Sequence, residues 1–302
     1  MQRESWNSKF GFTMAAVGSA VGLANIWRFP YVLGTNGGAA FLLLYLICLC
    51  LIGLPAFITE VFMGSHAKSG PKASFKLFGK TRLWEKTGLG IIWTGFIISS
   101  FYSVVAGWLL AYGIDSLTGS FSLPLNQETV TSHFEKLLAS PNRLVFLHFS
   151  FMLISALVLL GGIQKGIERG CKWMMPLLLL MLTGLAIQGL SLSGSSKALN
   201  FLFSPDWSQV SGQTILLALG QAFFTLSLGQ GTMITYGSYI KDKSSILSTA
   251  LPVVFVDTLV SILSGIAVFT MVFSAGGETS SGPGLIFETL PLAFSKMPFG
   301  SI

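Results

Sequence analysis

The sequence predicts an all-α fold, a polytopic bundle of transmembrane helices, and three observations support this prediction. First, 52% of the 302 residues are hydrophobic, only 10% are charged, and the mean hydropathy is +0.71, which is too apolar for a soluble domain. Second, the apolar residues form runs of about 20 or more, the length of one helical crossing. Third, these runs lack the alternation of apolar and polar residues that marks the strands of a β-barrel.

Seven apolar runs are candidate spans. The first run is too long and too polar at its centre for a cleavable signal peptide. Because the apolar runs follow one another along the whole chain, we expect residues 1–302 to form a single transmembrane domain. In chain order the runs lie near residues 11–36, 40–65, 88–118, 143–163, 173–193, 213–240 and 247–275.

The distribution of lysine and arginine predicts the orientation of the chain. Thirteen of these residues fall in the N-terminal tail and in the loops on its side of the membrane, against four in the opposite loops. Because loops rich in lysine and arginine stay in the cytoplasm, we expect a cytoplasmic N-terminus in a cell inner (plasma) membrane protein. The basic loop 66–87 and the net charge of +6 are explained by this topology, so no nucleic-acid surface is predicted.

The cysteines and histidines give no sign of a metal site or of an enzyme. The three cysteines lie in or beside apolar runs without the spacing of metal ligands, and the three histidines are scattered along the chain. No nucleophile, base and acid fall within reach of one another, so the sequence predicts no catalytic function.

Two spans are interrupted near the middle of the membrane. Residues 18–25 of the first span read GSAVGLAN, and residues 227–231 of the sixth read SLGQG. Lipid cannot satisfy the backbone groups that an unwound segment frees, so such a segment must be buried in protein or line a wet cavity. There, carbonyl groups can bind a sodium ion, and the positive end of a half-helix favours a carboxylate.

Polar side chains beside the first interruption strengthen this interpretation. A bare charge within the membrane is costly, and Arg28 follows Asn25 there, which makes the segment a candidate functional site. The alternative is that Gly18 and Gly22 only form a close-packing face between helices. That alternative explains neither the polar side chains nor the matching interruption in the sixth span.

Three motifs resemble the neurotransmitter:sodium symporter family, in particular its bacterial amino-acid transporters. They are WRFPY at 27–31 with NGGAAF at 36–41, GQAFFTLSLG at 220–229, and KGIER at 165–169. The resemblance implies an inverted-repeat symporter fold with broken helices 1 and 6, a first repeat of about 9–193 and an incomplete second repeat starting at about 213–302. Since family members have about twelve spans, the chain is expected to be a fragment or a truncated product that ends before the eighth helix.

The resemblance also implies two sodium sites, and therefore one or two Na⁺ ions as cofactors. The first site would combine the Ala20 carbonyl with the substrate carboxylate and three side chains, those of Asn25, Thr225 and Asp257. The second would use the carbonyls of Gly18 and Val21, together with ligands on the eighth helix.

For the substrate, the resemblance implies an α-amino acid bound between the broken helices. Its carboxylate would meet the N–H groups of Gly22, Leu23 and Ala24 and the hydroxyl of Tyr102, although a tyrosine at the membrane interface is an alternative reading of Tyr102. Its amino group would meet carbonyls near Phe224 and Ser227, and Ile98 and Phe224 would wall the side-chain pocket.

Two positions bear on which substrate is carried. Relatives that carry monoamines have an aspartate where this chain has Gly22, because an amine without its own carboxylate needs a protein charge. Glycine therefore favours an α-amino acid, hydrophobic or aromatic in view of Ile98 and Phe224. Gln230 stands where the resemblance predicts an apolar or aromatic residue.

The implied function is sodium-coupled symport by alternating access; the alternative is a non-transporting fragment or membrane scaffold.

The resemblance assigns gating roles to four further residues. Arg28 would be the cation of an outer gate, and Arg3, Trp6 and Tyr239 would belong to an inner gate. Glu60 matches a glutamate that braces the broken sixth helix.

Chloride is predicted not to be required. Tyr45, Gln221, Thr225 and Ser261 match groups that hold chloride in chloride-dependent relatives, but Asp257 replaces an asparagine. A carboxylate and a chloride within about 4 Å would repel by several kcal/mol at an effective dielectric constant of about 20. The alternative is a protonated or hydrogen-bonded Asp257 that acts as the asparagine does.

Overall fold

The computed structural model describes residues 4–119, 125–241, 246–277, 287–288 and 291–292. These residues form thirteen α-helices with short π- and 3₁₀-helical segments, and the described part of the chain contains no strand. Five helical runs are long and apolar enough to cross a membrane, and a pair of helices bent by 46° forms a sixth candidate. The predicted all-α transmembrane fold is confirmed.

The first two spans contain irregular turns. α1 (Lys9–Ala20) and α2 (Phe29–Thr35) form the bent pair, joined through the π-helical segment Ala24–Arg28. The hydroxyl of Ser8 caps α1 by accepting a hydrogen bond from the N–H of Gly11. The second span runs from Ala39 to Ala67 and consists of α3 (Ala39–Cys48), a π-helical turn and α4 (Leu54–Ala67).

The middle of the chain adds two spans and two short surface helices. α5 (Pro71–Gly79) lies within the predicted basic loop, and α6 (Arg82–Leu117) is the third span. α7 (Gln127–Leu138) precedes α8 (Pro141–Leu160), the fourth span.

The fifth span starts earlier than predicted. The π-helical segment Gly162–Glu168 continues into α9 (Arg169–Leu190) without interruption, so the span begins at Gly162 and the prediction of a start near residue 173 was wrong. The prediction failed because the charged residues of this segment resemble a loop, whereas in the structure they belong to the helix. α10 (Ser195–Phe203) follows as a short helix.

The sixth predicted span consists of two short helices, and the seventh is continuous. α11 (Gly212–Thr225) and α12 (Thr232–Gly237) are separated by residues 226–231, and α13 (Ile246–Ser274) is one long helix. Half of the most apolar window of α13 is buried, against 6% of that of α8. α13 therefore lies inside the bundle, where it can organise polar groups away from lipid.

Two glycines bring α4 and α12 into backbone contact. A Cβ atom on Gly64 would lie 1.8 Å from the carbonyl oxygen of Ile234, and one on Gly237 would lie 2.3 Å from that of Val61. Side chains larger than hydrogen therefore do not fit at the two glycine positions. A third contact between the same two regions is the hydrogen bond that the ammonium group of Lys68, just after α4, donates to the carbonyl of Ile240, just after α12.

Candidate functional site at the two helix breaks

The first helix break spans residues 21–23 and is closed by a side chain of the same segment. The side-chain oxygen of Asn25 accepts a hydrogen bond from the N–H of Gly22 at 3.0 Å. The Gly22 carbonyl in turn accepts from the N–H groups of Asn25 and Ile26, at 3.1 and 3.3 Å. The break is narrower than the predicted range 18–25, since α1 continues to Ala20.

The second break, residues 226–231, turns through three left-handed residues. These are Ser227, Gly229 and Gly231, with φ of 54°, 74° and 79°. The N–H of Gly229 donates to the carboxylate of Glu60 on α4 at 2.8 Å, and the hydroxyl of Ser227 donates to the carbonyl of Ser19 on α1 at 2.8 Å. The bond from Gly229 to Glu60 is the bracing contact that the resemblance implied.

A fully buried polar cluster joins the two breaks to α13. The side-chain nitrogen of Asn25 donates to Asp257 Oδ1 at 2.7 Å, to Ser261 Oγ at 2.9 Å and to Thr225 Oγ1 at 3.1 Å. The Thr225 hydroxyl lies 2.8 and 3.0 Å from the two carboxylate oxygens of Asp257. The Tyr45 hydroxyl donates to Asp257 Oδ2 at 3.4 Å. Residues from α3, α11 and α13 thus meet the first break at one point.

The donor set of this cluster suits a hard monovalent cation. Its oxygens come from one carboxylate, hydroxyl groups and backbone carbonyls, which are ligands that hard cations prefer. A single carboxylate balances one positive charge. Among the described residues, no three histidine, cysteine, aspartate or glutamate side chains come together as they would in a transition-metal site.

The two glycines of the first span have different surroundings. A Cβ atom on Gly18 would lie 2.7 Å from the sulfur of Cys171 on α9, so Gly18 permits close helix packing. A Cβ atom on Gly22 would meet only the hydroxyl of Tyr102, at 3.3 Å. The packing alternative therefore describes Gly18, whereas a side chain at position 22 would press only on the Tyr102 hydroxyl.

A cavity of about 390 Å³ lies between the breaks and α6. It brings together six of the eight predicted substrate residues. The Tyr102 hydroxyl accepts a hydrogen bond from the N–H of Ala24 at 3.2 Å and keeps its own proton for a further acceptor. The six residues are Ala24, Ile98, Tyr102, Phe224, Ser227 and Gln230.

The remaining predicted positions lie close by. Gly22 and Leu23 form the break itself, and the side chain of Leu23 turns to an aromatic cluster around Phe134 and Phe287. Ala20 lines the cavity, whereas Val21 is buried in the core.

One wall of the cavity was not predicted from the sequence. α8 contributes Phe151, Met152, Ser155 and Leu159, and nothing in the local pattern of this helix distinguishes it from a lipid-facing span.

Three of the four predicted gate residues, Arg28, Trp6 and Tyr239, lie in the described part of the chain. The Arg28 guanidinium donates to the side-chain oxygen of Gln221 and lies 4.8 Å from the ring centroid of Phe224. Gln221, expected near the anion site, thus contacts Arg28, and its side-chain nitrogen has no partner in the described structure. The backbone N–H of Trp6 donates a hydrogen bond to the Tyr239 carbonyl at 3.2 Å, so these two predicted inner-gate residues are in contact. Arg3 lies outside the described residues.

The chain is similar to several known proteins. The chain matches the Sodium:neurotransmitter symporter family over residues 3–140 and 128–302. Over 98% of its length it is 39% identical to the "Uncharacterized sodium-dependent transporter YhdH" of Bacillus subtilis, covering 66% of that protein. It is 36% identical to the "Uncharacterized sodium-dependent transporter MJ1319" of Methanocaldococcus jannaschii, covering 64% of it. The chain thus spans about two thirds of the length of these relatives.

The chain is also similar to a protein of known structure. The crystal structure of MhsT in complex with L-phenylalanine superposes on this chain with a TM-score of 0.94 and 45% sequence identity. The match covers 99% of this chain and 68% of MhsT.

Proposed function

Because the chain belongs to the sodium:neurotransmitter symporter family, we propose that it serves in the sodium-coupled symport of an α-amino acid by alternating access. The observation that carries the proposal is the buried cluster of Asn25, Thr225 and Asp257, which joins both helix breaks beside the cavity. A cation bound there would stabilise both breaks at once. Ion binding would thereby be coupled to the conformation of the cavity.

In this proposal the first sodium site uses the Ala20 carbonyl together with Asn25, Thr225 and Asp257. The carboxylate of the substrate completes the site, which links the affinity for the ion to that for the substrate. The carbonyls of Gly18 and Val21 are proposed for a second sodium ion. Arg28 would close the outer end of the site, and Trp6 with Tyr239 the inner end.

The proposed substrate is a hydrophobic or aromatic α-amino acid. Its carboxylate would lie beside Gly22 and accept a hydrogen bond from the Tyr102 hydroxyl. None of the described cavity-lining residues carries a carboxylate, which disfavours an amine without its own acid group. Ile98, Phe224 and Phe151 supply apolar walls, and Gln230 adds one polar group to them.

We also propose a membrane arrangement. The N-terminus faces the cytoplasm of a cell with the protein in its inner membrane, since the lysines and arginines favour that side by thirteen to four. Residues 1–302 form one transmembrane domain, with a first repeat of about 9–193 and a second that starts near 213.

Uptake into proteoliposomes by the complete gene product that carries this chain tests the coupling. Labelled phenylalanine or leucine should accumulate in an inward sodium gradient and stop when choline replaces sodium. Uptake that persists unchanged in choline rejects sodium coupling.

Tyr102→Phe tests the substrate site. The variant removes one charge-assisted hydrogen bond of about 1.5–3 kcal/mol, so the affinity for the amino acid should fall by about tenfold or more. Tyr31→Phe is a matched control, because Tyr31 does not line the cavity. Equal affinities of Tyr102→Phe and the wild type, measured by equilibrium binding, would assign Tyr102 to packing.

Asp257 carries the proposal that chloride is not required. Its carboxylate already receives hydrogen bonds from Asn25, Thr225 and Tyr45, donors that a halide would otherwise attract. Wild-type uptake should continue when gluconate replaces chloride, and Asp257→Asn should introduce chloride dependence. A collapse of wild-type uptake in gluconate would show that Asp257 is not the surrogate anion.

A further inference from the structure

The corner between α8 and α9 contains a cavity of about 380 Å³, separate from the site between the helix breaks. Its polar end is formed by Lys165 and Arg169 and its apolar end by Leu157, Trp173 and Met174. Both cations are exposed, and the described structure shows no ion pair for either. The corner therefore carries two unbalanced positive charges beside an apolar surface.

The nearby acids do not neutralise these two cations. Glu168 lies between them in sequence but is buried, and its carboxylate accepts from the backbone N–H of Asn7 at 2.9 Å and from Lys172 at 2.6 Å. Glu4 accepts from the backbone N–H of Ile163 at 2.8 Å and does not line the cavity. Within the described residues no carboxylate pairs with Lys165 or Arg169, which leaves both cations available to another molecule or to solvent.

The apolar end of the cavity points to lipid as that molecule. Leu157, Trp173 and Met174 are 59%, 78% and 63% exposed, and they lie on two membrane spans. In a bilayer these side chains contact acyl chains, while the corner of the two spans lies at the level of the headgroups. Basic pockets between spans at this level bind anionic headgroups, and an arginine binds phosphate through paired hydrogen bonds.

We propose that the corner between α8 and α9 is a binding site for one anionic phospholipid, such as phosphatidylglycerol. Its phosphate contacts Lys165 and Arg169, and one acyl chain lies along Trp173 and Met174. Given the proposed orientation, the lipid comes from the cytoplasmic leaflet. The site does not depend on the proposed transport activity.

Native mass spectrometry of the purified protein, titrated with phosphatidylglycerol or phosphatidylcholine of the same acyl chains, tests the proposal. One phosphatidylglycerol should bind about thirtyfold more tightly than phosphatidylcholine, which corresponds to about 1 kcal/mol for each cation. Lys165→Gln with Arg169→Gln should abolish this preference, whereas Lys165→Arg should retain it.

A second variant blocks the cavity without changing its charge. A Cβ atom on Gly170, which lines the cavity, would meet no atom within 4 Å, so Gly170→Leu places its side chain in open space. It should abolish the tight phosphatidylglycerol complex. If the double charge variant fails to fold, Gly170→Leu still tests whether the lipid binds between α8 and α9.

Two controls distinguish a specific phosphatidylglycerol site from general electrostatic attraction between the protein and anionic molecules. Lys80→Gln with Lys86→Gln removes two exposed cations from the predicted basic loop on the same side of the membrane and should leave the phosphatidylglycerol preference unchanged. Glycerol phosphate should not displace the bound lipid; full displacement would identify a site for soluble anions instead. Equal affinity for the two lipids in the wild type, or equal losses in the control and cavity variants, overturns the proposal.

Discussion

The two helix breaks find partners for their backbone groups in different ways. The first uses Asn25, a residue of its own segment, to satisfy the N–H of Gly22. The second relies on Glu60 of α4 for the N–H of Gly229, and the side chain of Ser227 adds a hydrogen bond to the Ser19 carbonyl of α1. The first break is therefore closed chiefly within its own segment. The second combines local bonds from the N–H groups of Ser227 and Leu228 to α11 with the contacts to α1 and α4.

The comparison also shows how the two breaks depend on each other. Asn25 donates from the first break to Thr225, the last residue of α11 before the second. A change at Asn25 should therefore affect both breaks, and a change at Glu60 only the second. Substitutions at three positions test this difference.

Asn25→Leu should have the largest effect. It leaves the N–H of Gly22 without its side-chain partner, which costs about 1–3 kcal/mol. It also removes one of the three side-chain donors to the Asp257 carboxylate, and a hydrogen bond to a charged group is worth about 1.5–3 kcal/mol. The free energy of unfolding in mixed micelles should fall by about 2–6 kcal/mol. Asn200→Leu on exposed α10 is the matched control and should change little. Similar losses in the two variants would contradict the role of Asn25 in closing the break.

Glu60→Leu should have an intermediate effect of about 1–3 kcal/mol, because it leaves the N–H of Gly229 unsatisfied. Glu60→Gln keeps an acceptor and should restore most of the loss. Hydrogen exchange should accelerate at Gly229 but not at Gly22. Faster exchange at Gly22 as well would mean that the first break is not locally closed.

Ser227→Ala should have the smallest effect, since hydrogen bonds between membrane helices are worth about 0.6 kcal/mol on average. Ser227→Gly loses the same bond but relieves the left-handed backbone at φ of 54°, where glycine is unstrained. Glycine should therefore be the more stable variant of the two in thermal unfolding. The reverse order would mean that the backbone at this position imposes no strain.

The sequence predicted both breaks because their signals are local. Glycines and polar residues stand out within an apolar run, and Asp257 and Ser261 share a face because they are four residues apart on a helix. The structure places both against Asn25. The cavity wall from α8 could not be predicted in this way, since Phe151 and Ser155 differ from lipid-facing residues only through the tertiary packing of α8 against α6.

The contact of Arg28 with Gln221 shows a second limit of prediction from the sequence. A charge in the membrane predicts that a partner exists but not its identity. The structure gives Arg28 a neutral amide oxygen on α11. Such a pairing depends on the crossing of two helices, which sequence spacing does not fix.

The backbone contact between α4 and α12 has a mechanical consequence. With Gly64 against Ile234 and Gly237 against Val61, neither helix can rotate about its own axis without a steric clash. The hydrogen bond from Lys68 to Ile240 pins the far end of the pair. We therefore expect α4 and α12 to move as one unit in any conformational change, with residues 226–231 as the segment in which α12 changes its angle to α11.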